Sequence, residues 1–133
     1  MELGLFMQPV HRAEKPWATA LAEDRESVLL AEKLGFSEVW IGEHFSTKAE
    51  QIPSPLMFLA SLIEQTSTIR FATGVINLPY HPPVIVAAET AQFDQMSGGR
   101  LILGFGPGGL MSDAELFGME DMPERYRVAM ESI

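Results

Sequence analysis

Leu101-Ile102-Leu103-Gly104-Phe105 is a run without a polar side chain, and Gly106-Pro107-Gly108-Gly109 follows it at once. A strand with one wet face alternates apolar and polar residues; a strand covered on both faces does not. The run is therefore expected in a parallel sheet packed under helices. Immediately upstream, Val84 to Met96 reads as a helix stopped by Ser97-Gly98-Gly99. Ile69 to Ile76 (IRFATGVI) and Phe36 to Gly42 (FSEVWIG) read as two more strands. Between them, Ser54 and Pro55 offer an N-cap and a first-turn proline for a helix running to about Gln65. Trp17 to Leu34 carries Leu21, Val28 and Ala31 at helical spacing and ends at Gly35, while Leu3 to Met7 is a further short apolar run. Strands thus begin near residues 3, 37, 70 and 101, one βαβ unit apart. Downstream, Ser112 and Glu115 suggest a capping box for a short helix, and Met122 to Ile133 looks helical again.

The chain has 133 residues, 47% hydrophobic and 20% charged, which predicts one domain over residues 1–133 with a real core. Nine Lys and Arg against 18 Asp and Glu give a formal net charge of −9. Such a field repels nucleic acid and anionic membrane, so neither is an expected partner. The absence of cysteine removes disulfide scaffolds, thiolate nucleophiles and Cys-type zinc sites, and fits a cytoplasmic protein. No apolar run approaches the roughly 20 residues that span a bilayer, and no signal-peptide pattern begins at Glu2. Length alone favours a doubly wound open sheet. A (β/α)8 barrel needs about 250 residues, so four strands would be half of one.

Candidate chemistry gathers where these strands end. Glu43-His44 follows the second strand, His11 the first, and Tyr80-His81 the third, which is where α/β sites are built. His44 can move a proton near neutral pH, or it is a hydrogen-bonded loop residue. Three histidines at one mouth could bind a metal, but no ligand spacing supports it, and no metal is expected. Gly104 to Gly109 literally fits G-x-G-x-x-G. It follows the fourth strand rather than the first, and Pro107 removes an amide donor, so a tight turn or a backbone seat for some other flat ligand competes with dinucleotide binding. Gly74, inside a β-branched run, marks a bulge, a close approach to a ligand, or a weak strand end. The eight methionines and the two tryptophans read as core or interface.

Taken together, VWIGEHFS (39–46), TGVINLPYHPPV (73–84), DQMSGGRLILGFGPGG (94–109) and the following SDA (112–114) resemble the flavin-dependent luciferase-like monooxygenases, in particular the limonene monooxygenase-like branch. The resemblance runs from LGLFMQPVHR to the final helix. It implies a (β/α)8 TIM barrel, of which this chain is the N-terminal half: about the first four βα units, a partial barrel. That replaces the open sheet suggested by length.

The resemblance also implies roles. His44 matches the family histidine that handles a flavin peroxide and its proton, with Glu43 at the neighbouring acidic position. Gly74 and Val75 match the strand end behind the isoalloxazine ring, where a non-prolyl cis peptide often occurs. Gly106 and Pro107 match the turn alongside the ring; some members carry a phosphate-contacting arginine where Pro107 stands. His11, Tyr80 and His81 are expected in the substrate pocket. The implied cofactor is reduced FMN used as co-substrate, or alternatively a deazaflavin (coenzyme F420). The implied partners are a small organic substrate, O2, a separate flavin reductase, and further copies of the chain in a homodimer or higher oligomer. Two other readings are a catalytically silent remnant that self-associates through open edges, and a flavin-binding module without turnover. The flavin readings require the tips at Glu43, Gly74 and Gly106 to meet as one shelf.

Overall fold

The protein, seen in a computed structural model that describes residues 2–133, is built from six short strands and five α-helices. In chain order these are β1 (Gly4–Met7), α1 (Trp17–Lys33), β2 (Glu38–Ile41), α2 (Pro55–Ala60), β3 (Arg70–Thr73), β4 (Ile76–Asn77), α3 (Pro83–Ser97), β5 (Leu101–Ile102), β6 (Phe105–Gly106), α4 (Met111–Leu116) and α5 (Met122–Glu131). Single 3-10 turns occupy Ile63–Gln65 and Leu78–Tyr80. The main sheet is parallel throughout, in the order β1-β2-β3-β5.

That order equals chain order and never reverses. Right-handed crossovers then put α1, α2 and α3 on one face, whereas a doubly wound sheet reverses at a switch point and covers both. Burial agrees. Val39, Ile41 and Phe71 are fully buried in one core with Val28 and Ala31 of α1, Leu59 of α2 and Phe93 of α3. Phe6, Trp40, Ala72 and Ile102 share a register row on the opposite face, where Phe6 is 57% exposed. This is the singly wound sheet of a barrel wall, so the open sheet expected from length is not formed.

The helix signals act locally. Ser54 accepts a hydrogen bond from the Met57 amide (3.2 Å), and Gly35 (φ 84°) and Gly98 (φ 68°) take the left-handed conformation that ends α1 and α3. The helix from Pro55 stops at Ala60 rather than near Gln65, because the chain tightens into the 3-10 turn. Ser112 and Glu115 do not form a capping box. Ser112 lies inside α4, whose N-cap is Leu110, and its hydroxyl meets that of Ser46 at 2.7 Å.

Two expected strands are also interrupted. IRFATGVI breaks at Gly74-Val75, joined by a cis peptide, and LILGF breaks at Leu103-Gly104. At these breaks the Thr73 hydroxyl replaces ladder bonds. It donates to the Gly104 carbonyl (2.7 Å) and accepts from the Gly104 amide (3.0 Å). A β-carbon on Gly104 would stand 2.2 Å from the Thr73 carbonyl oxygen, so the approach requires glycine. Beyond the break, β4 and β6 pair in parallel, Ile76 with Phe105 and Asn77 with Gly106, as a shorter upper tier.

Candidate functional site at the carboxyl ends of the strands

The break at Gly74-Val75 brings the tip of the third βα unit against the tip of the second. Gly74 donates its amide to the Ile41 carbonyl (2.7 Å), and Glu43, only 3% exposed, spans the junction. Its carboxylate accepts from the Asn77 amide (2.8 Å) and lies 2.9 Å from His81 Nε2. The Glu43 carbonyl accepts from the Asn77 side chain at 3.2 Å. A buried carboxylate is costly unless hydrogen-bonded, and here backbone and imidazole share that task. The bond to Glu43 raises the pKa of His81 above the ordinary histidine value, against the opposing effect of burial.

His44 stands between two further carboxylates. Its Nε2 lies 3.1 Å from Glu50 and its Nδ1 3.4 Å from Asp113. Nδ1 is buried and has no hydrogen-bond partner. Asp113, 1% exposed, is held by the Phe45 amide (3.1 Å), the Ser46 amide (2.8 Å) and the Ser46 hydroxyl (2.5 Å), which ties α4 to the loop after β2. Behind this loop Tyr80 stacks on Phe117 at 4.6 Å, and Phe45 meets both rings edge-on. The Gly108 position clears the Tyr80 hydroxyl only because it has no side chain, since a β-carbon there would lie 2.6 Å away.

A cleft of about 380 Å³ opens above these tips, lined by Gln8, Glu43, His44, Glu50, Gly74, Val75, Asn77, Gly109 and Leu110. Glu43, His44, Gly74 and Val75 are thus brought together. Gly106 packs against the Val75 side chain, 3.2 Å from its would-be β-carbon, with Pro107 following half-buried. The three tips therefore adjoin. His81 stands behind Glu43, and Tyr80 lies in the aromatic cluster rather than on the cleft wall. His11 turns elsewhere: its Nε2 is 2.9 Å from Asp24 of α1 and its Nδ1 3.2 Å from Lys15. Burial raises the pKa of Asp24 despite that contact. The histidines thus have separate partners, and among the described residues no three His, Asp or Glu side chains are arranged to hold a metal ion.

Glu50 and Asp113 are contributors that the sequence reading did not single out as site residues. Asp113 sits in the SDA element, where the nearby Ser112 suggested a cap. Nothing in the spacing of Glu50 pointed towards His44.

The cleft suits a flat ring better than a phosphate. Gly74 and Val75 lie on its wall, with Gly106 packed against Val75, while its charged lining residues are Glu43 and Glu50 and none of the described residues lining it is a Lys or Arg. A flavin ring fits these residues; its phosphate would have to lie beyond them.

A singly wound wall of parallel strands with a polar cleft at their carboxyl ends defines a protein of the (β/α)-barrel class. The chain belongs to the luciferase-like monooxygenase family, which it matches over residues 1–133. It is 39% identical over 128 residues to limonene 1,2-monooxygenase of Rhodococcus erythropolis, covering 96% of this chain and 33% of that protein. Among solved structures it superimposes, with a TM-score of 0.89 and 26% identity, on the oxygenating constituent of 3,6-diketocamphane monooxygenase from Pseudomonas putida, a type II Baeyer-Villiger monooxygenase in complex with FMN. That match covers 98% of this chain and 38% of the other. The coenzyme F420-dependent tetrahydromethanopterin reductase of Methanopyrus kandleri matches with a TM-score of 0.68 at 26% identity, over 88% of this chain and 30% of that one. The chain spans about a third of the length of the curated relatives it matches. The fold is accordingly the N-terminal portion of a luciferase-like TIM barrel.

Proposed function

We propose that residues 1–133 act as one folding unit that supplies the ring-binding side of a reduced-FMN-dependent monooxygenase. The observation that carries this reading is the shelf of Gly74 and Val75, backed by Gly106 against the Val75 side chain, beside His44 and Glu43. It sits in a fold that superimposes on an FMN-bound oxygenating constituent. Reduced FMN, when bound, supplies the electrons with which one oxygen atom of O2 enters a small organic substrate. Gly74, Val75 and Gly106 seat the ring, Pro107 limits the flexibility of the turn beside it, and Glu43 holds the shelf rigid through Asn77. His44 holds or moves a proton at Nε2. Tyr80 and the aromatic cluster keep water from the back of the site, and His81 braces Glu43 from behind.

The partners in this reading are a small organic substrate, O2, a separate reductase that delivers reduced flavin, and further copies of the chain, in the cytoplasm. Deazaflavin is the alternative cofactor, supported by the likeness to the coenzyme F420-dependent reductase. A second reading, a self-associating remnant without turnover, is favoured by apolar side chains left exposed on the inner face and along the β5–β6 edge, where Phe6 is 57% and Leu103 and Phe105 are 40% and 42% exposed.

Two measurements separate these readings. Titrating FMN or coenzyme F420 into the chain, followed by flavin fluorescence, tests binding. Oxygen uptake with reduced flavin and a monoterpene ketone or alkene tests turnover. His44→Ala is expected to lower turnover about 10²–10⁴-fold with flavin affinity unchanged. Wild-type turnover in that variant removes His44 from the mechanism, and a colourless oligomer that quenches no flavin fluorescence favours the remnant.

A further inference from the structure

His44 and Glu50 are shared walls. Both line the inner cleft above the shelf, and both also line a second cleft of about 240 Å³ on the other side, bounded by Trp17, Thr47 and Lys48. The pair thus forms the partition between the two clefts. We propose that Glu50 is the proton-relay partner of His44, passing a proton between the imidazole and the outer cleft; the catalytic use of this relay rests on the role given to His44 above.

The backbone puts Glu50 in place independently of any ligand. Glu50 makes an antiparallel bridge with Val10, and His11 donates its amide to the Ala49 carbonyl at 2.8 Å. The loop closes on itself where the His44 amide donates to the Ile52 carbonyl (3.2 Å). Glu50 is therefore held on the β1 side of His44, while Asp113 faces the ring from α4. Lys48 is the cation lining the outer cleft, and the remaining neighbouring carboxylate, Glu43, is turned away towards Asn77 and His81.

The two carboxylates are not equivalent. The Asp113 carboxylate already accepts three hydrogen bonds from Phe45 and Ser46 and is almost wholly buried, so it acts as a fixed anchor. The Glu50 side chain is 18% exposed and opens on the outer cleft. A neutral imidazole offers one donor and one acceptor, whereas each nitrogen of His44 faces a carboxylate, which has no hydrogen to give. Both contacts are favourable together only when one more proton enters the trio. Glu50 is the member through which that proton reaches solvent. It moves from His44 Nε2 to the Glu50 carboxylate and on to water in the outer cleft, or the reverse, with no change in electron count.

The test uses this chain labelled with ¹⁵N-histidine, without flavin, and follows by NMR, at one fixed neutral pH, how fast the His44 ring N–H exchanges its proton with water. Glu50→Gln leaves no carboxylate 3.1 Å from His44 Nε2 to carry the proton, and exchange of that ring proton with water is expected to slow severalfold. Glu50→Asp keeps the carboxylate but withdraws it, and slows the exchange by less. An unchanged thermal melt shows that each variant is folded. A His44 ring-proton exchange rate that matches wild type in both variants overturns the proposal, whatever His44→Ala does to turnover. Because no flavin is present, failure here is distinct from failure of the monooxygenase reading.

Discussion

Gly104→Ala tests the geometry that creates the shelf. The new β-carbon would stand 2.2 Å from the Thr73 carbonyl oxygen and 3.5 Å from the Trp40 ring. Since the nearest atom is backbone, no side chain can swing aside. Strain of this kind costs about 1–3 kcal/mol. Separating the chains to relieve it breaks the two hydrogen bonds between the Thr73 hydroxyl and the Gly104 backbone, at about 1 kcal/mol each. The expected loss is therefore about 3–5 kcal/mol, a large part of the 5–15 kcal/mol that holds a typical domain together. At about 3–5 °C per kcal/mol for a chain of this size, Tm falls by about 10–20 °C. Gly109→Ala is the internal control, because nothing lies within 4 Å of its would-be β-carbon, and a change of less than about 0.5 kcal/mol is expected there. Urea denaturation at neutral pH reads both. A Gly104→Ala protein as stable as Gly109→Ala would refute the close approach of the third and fourth strand ends, and with it the origin of the shelf.

Two further outcomes follow from carboxylates that cap backbone amides. Glu32 accepts from the Ser67, Thr68 and Ile69 amides at 2.7–3.0 Å; although burial opposes ionisation, these donors hold its pKa below the usual carboxylate value. A depressed folded-state pKa contributes stability that is present above the unfolded value, about 4.3, and lost as pH falls through the folded value. Glu32→Gln should lower the neutral-pH Tm by several degrees and flatten its acid dependence, and identical Tm-against-pH curves would contradict this. At His81 the sign reverses. The Glu43 bond raises the imidazole pKa, so its stabilisation is complete below about pH 6.5 and fades as pH rises through the folded value. Glu43→Gln should lower the His81 midpoint in an NMR titration, and an unmoved midpoint would separate the two groups.

What was legible in the sequence followed from short-range physics. Gly35 and Gly98 end helices because the left-handed conformation is cheap only for glycine, and Ser54 caps because its hydroxyl meets an amide three residues on. The strand-helix alternation yielded the parallel sheet, and the motif resemblance yielded the barrel order that length alone got wrong. The broken strands were not legible. IRFATGVI and LILGF have unbroken strand composition, and they part because Thr73 and Gly104 exchange hydrogen bonds across 31 residues of chain. The same limit hid Asp113 and Glu50. Ser112 and Glu115 have the spacing of a capping box, but the helix starts one residue before Ser112, and the tertiary contact with Ser46 takes its hydroxyl.

The partners of the buried acids explain how an acidic chain tolerates carboxylates at its functional end. Isolated, Glu43 and Asp113 would be expensive to bury. Each instead accepts backbone N–H groups from a neighbouring loop: Asn77 for Glu43, and Phe45 with Ser46 for Asp113. These amides belong to the segments that shape the cleft, so each carboxylate's solvation is also a tether on a strand tip. Substituting either acid therefore releases both a charge and a loop. Glu50, tethered through its own backbone bridge to Val10 instead, is the acid whose carboxylate can exchange a proton without loosening the wall that holds His44.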